Sequence, residues 1–195
     1  MEDLQQPFEP FRLNTVGSDQ TFRTPYGEPR IVYADWTASG RLYRPIEERL
    51  LHDFGPFVGN THSESSATGT AMTLAYHEAH RILKAHVHAG PDDVIITFGT
   101  GMTGAINKFQ RILGIKAPPG LRPYIDLGAR ERPVVFVTHM EHLSNQSSWC
   151  ETIGDVVVIP PDERGLVNPA ALEALLREHR DRPVKLGAFT ACSNV

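Results

Sequence analysis

Short runs of β-branched residues, separated by segments of helical period, constrain the fold of this chain more than any other feature. Val94-Ile-Ile-Thr97, Val134-Val-Phe-Val-Thr138, Asp155-Val-Val-Val-Ile159 and the segment 184–190 read as strands, because such side chains suit a pleated surface. Their near-continuous apolar character calls for burial on both faces, the mark of parallel strands joined by crossover helices. The intervening segments supply those helices, over 102–113, 142–153 and from 168 to about 180. In the first, Ile106, Phe109 and Leu113 form the expected inward stripe; in the last, Asn168-Pro169 joins a capping residue to a proline at the first helical position. The pattern predicts an α/β fold with a mostly parallel sheet and helices on both faces.

The earlier part of the chain is less regular. Residues 1–30 lack periodicity and carry Pro7, Pro10, Pro25 and Pro29, so they read as an arm preceding a domain over 31–195. Ile31-Val-Tyr-Ala-Asp35 is a short strand candidate, and Pro45 can open a helix that places Ile46, Leu50, Leu51 and Phe54 on one face before Gly55 stops it. A polar loop over 55–70 follows, of a length usually reserved for function or disorder. The segment 71–88 then reads as a helix with Met72, Ala75, Ala79, Leu83 and Val87 along one stripe. The chain stops at Val195 directly after a core-type strand, which reads as an interrupted domain whose exposed edge favours pairing with a second copy or with a missing C-terminal half.

Composition narrows the functional classes. Among 195 residues the net charge is −4, with no basic run, which argues against nucleic acid or an anionic membrane surface as partner. The N-terminus is acidic, and no apolar stretch approaches the ~20 residues that span a bilayer. Two cysteines, Cys150 and Cys192, are too few for a disulfide framework; a reducing, cytoplasmic setting follows, with both read as buried thiols. His77 and His80 stand three apart, not in the H-E-x-x-H spacing of a helical zinc site, so no metal is expected there.

In open α/β sheets ligands bind outside the carboxyl ends of the strands. After the candidate strand 94–97 comes Phe98-Gly-Thr-Gly-Met-Thr-Gly104, a glycine loop opening a helix whose free N–H groups and dipole suit a phosphate. Gly99, Gly101 and Gly104 also spell G-x-G-x-x-G, so a Rossmann-type nucleotide binder is a rival reading. The acid that such a site needs about 20 residues on is not at a strand end, since Asp126 lies in a loop. After the strand 134–138, His142 offers an imidazole for stacking or proton transfer. After the last strand, the Asn194 amide can donate to an oxyanion.

Taken in order, these segments resemble the class V aminotransferases and cysteine desulfurases, which use pyridoxal 5′-phosphate (PLP). Tyr33-Ala-Asp-Trp-Thr-Ala-Ser39 is similar to their opening Tyr-Leu-Asp-Asn-Ala-Ala-Ser, and Gly101-Met-Thr-Gly-Ala-Ile-Asn107 to their Gly-Ala-Thr-Glu-x-x-Asn. Met140-Glu-His-Leu-Ser-Asn-Gln-Ser-Ser-Trp149 resembles Met-Glu-His-His-Ala-Asn-x-x-Pro-Trp, and Ser193-Asn-Val195 resembles Ser-Asn-Val-x-Gly. Asn60-Thr-His62 falls where the family carries a histidine near the substrate.

The resemblance implies an incomplete PLP-dependent-transferase-type large domain, usually homodimeric, acting on an amino acid by transamination, sulfur removal or epimerisation. It implies that Gly101, Met102 and Thr103 bind the cofactor phosphate, that His142 stacks on its ring, and that Asn194 bonds its phenolic oxygen. Ala38 and His62 would border the substrate, with His62 the candidate catalytic group. The family's Schiff-base lysine has no counterpart, because Lys84, Lys108, Lys116 and Lys185 all lack its sequence context. Gly104 stands where desulfurases often carry Glu. A non-catalytic chain active only in association is therefore the second reading.

Overall fold

The computed structural model describes residues 6–192, and the chain divides into two compact units, the first reaching Ile95 and the second beginning at Ile96. The second holds the sheet. Its strands β1 (Val134–Thr138), β2 (Asp155–Ile159) and β3 (Lys185–Ala188) run parallel in the order β2-β1-β3. Every residue of the central strand β1 is buried. Alternation along it sends Val135 and Val137 to one face, with Ile115, Trp149 and Ala188, and Val134 and Phe136 to the other, with Ile159.

Each face has its helices. Leu143–Cys150, between β1 and β2, contributes Trp149 to the first face, and Gly101–Ile112 contributes Ile106. Pro169–Glu178, between β2 and β3, lays Ala171, Leu172 and Leu175 on the second. The two crossovers travel in opposite directions across β1, so crossovers of the same hand must use opposite faces. The expected parallel α/β sheet, covered on both sides, is what forms. The Asn168 side chain caps its helix by accepting from the Ala171 N–H at 3.0 Å, as the Asn-Pro pair predicts.

In the first unit, helices Glu9–Asn14 and Arg44–Arg49 flank a paired segment. Isolated bridges join Thr15 to Tyr43 and Thr21 to Arg30, and Thr24–Gly27 closes a tight turn. The long helix Ala67–His86 starts four residues earlier than its apolar stripe predicts, because the Ser66 hydroxyl caps it by accepting from Gly69 N–H at 3.1 Å.

Three expectations fail. Neither 31–35 nor 94–97 forms a strand. Val32 and Val94 are 90% and 80% exposed, and β-branched residues adopt a ladder only where partner strands and packing are available. The proposed inward stripes are also open: Ile46, Leu50, Leu51, Leu83, Val87, Phe109 and Leu113 are exposed in this chain. Finally, Cys150 and Cys192 are exposed, not buried. Among the described residues no helix is long and apolar enough to cross a membrane, and no group of three or more His, Cys, Asp or Glu side chains could hold a metal.

We number the helices of the second unit α1 (Gly101–Ile112), α2 (Leu143–Cys150) and α3 (Pro169–Glu178).

Candidate cofactor site

A cavity of about 430 Å³ opens at the carboxyl ends of β1 and β3, a size typical of small-molecule sites (roughly 300–1,000 Å³). Met102, Thr103 and Ile106 of α1 line one side, Glu141, His142, Ser144 and Asn145 another, and Phe189 to Cys192 a third. None of the second unit's three lysines lines it: Lys116 bonds the Asn107 and Gln110 side chains and Lys185 the Arg180 and Arg182 carbonyls, while Lys108 is an exposed helix residue; in the first unit, Lys84 bonds the Pro91 carbonyl.

The first turn of α1 lines the cavity through Met102 and Thr103. No side chain caps it, and Gly101 opens it at φ +65°, a backbone region that glycine enters without strain. Gly104, one turn in, is fixed by packing. A Cβ there would lie 1.8 Å from Thr100 Oγ1 and 2.5 Å from the Phe98 ring. This gives a physical reason for Gly where the resembled desulfurases carry Glu: the loop folds back over that position. No strand precedes the loop, so the context that a dinucleotide fingerprint requires is absent around Gly99, Gly101 and Gly104.

His142 is the N-cap of α2. Its Nδ1 accepts from the Ser144 N–H at 3.2 Å and lies 2.7 Å from Ser144 Oγ. Accepting there places the ring proton on Nε2 and fixes the ring about its bond to the backbone.

Sequence reasoning missed the residues behind this histidine. The Glu141 carboxylate takes five hydrogen bonds, from Thr138 Oγ1 (2.6 Å) and N–H (3.4 Å), Thr190 N–H (2.8 Å) and Oγ1 (2.7 Å), and Asn145 Nδ2 (2.8 Å). Burial pushes this carboxyl up, but the bonds from Thr138, Thr190 and Asn145 outweigh it, and the group ends below its ordinary value. Asn145 in turn accepts from the buried Trp149 Nε1 at 2.9 Å. The signal was present as Glu141, Asn145 and Trp149 at steps of four, one helical face.

Of the residues singled out from sequence, Met102, Thr103 and His142 share the cavity and Gly101 begins the helix beside it. Asn194 lies outside the described residues. Ala38 and His62 belong to the first unit. There, Ala38 sits in the turn that follows Asp35, and His62 adopts φ +68° with its N–H on Thr73 Oγ1 at 3.0 Å and its ring edge-on to Tyr76.

Comparison with known families adds the deciding observation. The family model described as Aminotransferase class-V matches residues 32–195. The chain belongs to the class V aminotransferase family. Members are PLP-dependent enzymes, and the incomplete α/β sheet is consistent with their large domain. Comparison with curated proteins gives no match.

Proposed function

We propose that this class V aminotransferase chain forms the phosphate- and ring-binding part of a PLP site and serves a reaction on an amino acid. One observation carries the reading: an uncapped helix start and a fixed imidazole line the same cavity at the strand ends. The N–H groups of Gly101, Met102 and Thr103 bind the phosphate, where the helix dipole favours an anion. The His142 ring lies against the pyridine face, and the apolar wall of Ile106 and Phe189 excludes water from it. Asn194 donates to the phenolic oxygen, and Ala38 and His62 border the substrate. The donor set fits a flat ring carrying a phosphate. When bound, the cofactor supplies an electron sink for charge developing at the amino-acid α-carbon.

Lys108, Lys116 and Lys185 of the same unit do not line the cavity, so none of them is proposed as the amine that holds the cofactor. Transamination or epimerisation suits the site better than desulfurase chemistry, given Gly104. The setting proposed is a cytoplasmic homodimer. Self-association is supported by the first unit: among the described residues, every fully buried hydrophobic side chain belongs to the second unit.

Equilibrium dialysis against PLP, followed by borohydride reduction and peptide mapping, tests the reading. Saturable binding competed by inorganic phosphate, weakened in His142→Asn, is expected, with no lysine modified stoichiometrically. Asparagine retains the cap, so that variant removes the ring alone. Absence of saturable binding, or stoichiometric labelling of Lys84, Lys108, Lys116 or Lys185, overturns it.

A further inference from the structure

We infer that Glu141 is a positioning residue for this site, clasping the ends of β1 and β3 and the first turn of α2 so that the cavity keeps its shape. The assignment rests on the proposed cofactor reading only for the identity of the ligand. The β1–β3 ladder ends at Val137↔Ala188. Beyond it the two strands are no longer joined by main-chain pairing, although β1 continues to pair with β2 through Thr138↔Ile159. The cavity opens at this point.

Glu141 spans the gap. One carboxylate oxygen gathers Thr138 from β1 and the Thr190 N–H from beyond β3; the other gathers the Thr190 hydroxyl and the Asn145 amide of α2. Thr190 is therefore held through both its backbone and its side chain, and the wall from Phe189 to Cys192 hangs from it. His142, the next residue, inherits the anchorage and presents its ring from it.

Two alternatives fail on the same geometry. A general base needs a free lone pair within reach of the substrate proton. Five donors occupy the roughly four lone-pair sites of a carboxylate, so Glu141 has no such capacity. A merely packed side chain would tolerate an amide of the same shape. Here glutamine would turn an NH₂ group towards donors, which leaves at least one buried donor unpaired.

The test uses the full chain with Glu141→Gln, Glu141→Asp and Thr190→Val. Amide hydrogen exchange reads the clasp without any ligand, and PLP dialysis reads the cavity. In Glu141→Gln, exchange at the Thr190 amide should accelerate about tenfold or more, as expected for losing a bond to a charged acceptor. The Val135 and Val137 amides should keep their protection, and PLP affinity should fall about tenfold. Aspartate should restore part of both. Thr190→Val, which removes the hydroxyl's bonds to Glu141 and the Met140 carbonyl but keeps the amide bond, should show a smaller local acceleration and guards against a glutamine variant that does not fold. Its effect should also be less than additive with Glu141→Gln. Unchanged exchange at Thr190 in Glu141→Gln overturns the clasp, as does equal acceleration across β1. If the unmodified chain fails to bind PLP, the cofactor reading falls, and the Thr190 exchange result alone decides the role of Glu141.

Discussion

Glu141 and Gly104 show how much of this site is carried by residues with no chemistry of their own to perform. The Glu141 carboxyl titrates below its ordinary value in the folded chain. The unfolded chain therefore takes up the proton first as pH falls. The stabilisation is complete above the unfolded value, near the ordinary glutamate value of about 4.5, and disappears as pH drops through the lower folded one. Acid melts should accordingly show a steeper loss of stability for the unmodified chain than for Glu141→Gln. Parallel acid limbs in the two proteins would refute this. At Gly104, alanine gains about 1 kcal/mol of helix propensity but meets Thr100 and the Phe98 ring. Overpacking costs roughly 1–3 kcal/mol, so Gly104→Ala should be net destabilising by about 1 kcal/mol in urea unfolding, and should weaken phosphate competition by displacing Thr100. Both residues were in plain view in the sequence. Gly104 reads in the sequence as a departure from the resembled pattern, and Glu141 carries no signal of its own there, because Thr190 becomes its neighbour only through the fold, across 49 residues.

Elements were legible where local and long-range signals agreed. The runs Val134–Thr138 and Asp155–Ile159 are strands at the predicted residues because each finds a parallel partner. The run 94–97 has the same composition, yet it forms no strand. Composition records suitability for a sheet, not the presence of a neighbour. Asn168 tests the converse case, a signal that is wholly local. Asn168→Ala should cost about 1 kcal/mol in chemical denaturation, the usual worth of an N-cap, and helicity should fall in α3 alone. Arg182 ties the same elements at their other end. It donates to the Arg132 carbonyl at 2.7 Å and pairs with Asp155, its side chain only 11% exposed. Breaking a fully buried pair costs roughly 3–5 kcal/mol, but the Asp155 side chain is 37% exposed, so solvent screens this pair, and Arg132 also reaches Asp155, at 3.2 Å. Arg182→Met should therefore cost about 2 kcal/mol, measured by urea unfolding; a loss below half that value would mean that Arg132 alone suffices.

At the scale of the whole molecule, burial is unevenly shared. The second unit has a core on both faces of β1. In the first, Gly69 and Thr73 are the buried residues of its longest helix, and large apolar side chains such as Ile46, Leu51, Leu74 and Val87 face outward. Native-state hydrogen exchange should follow this division, with Val134–Val137 the slowest amides and the unit up to Ile95 exchanging by low-energy local opening. Light scattering should detect association, since apolar exposure on this scale marks an interaction surface; a monodisperse monomer at high concentration would count against it.

The same asymmetry sets how the two halves can vary in sequence. A substitution at Phe136 or Trp149 is judged inside the chain, by whether β1 and α2 still pack. A substitution at Ile46 or Leu51 has little local core to disturb, so its effect is set by whatever surface that side chain meets. A scan of all positions, read once as stability of the isolated chain and once as association, should therefore separate into two maps. If association is found, tolerance in the first unit measured by folding alone would describe a freedom that the assembly lacks.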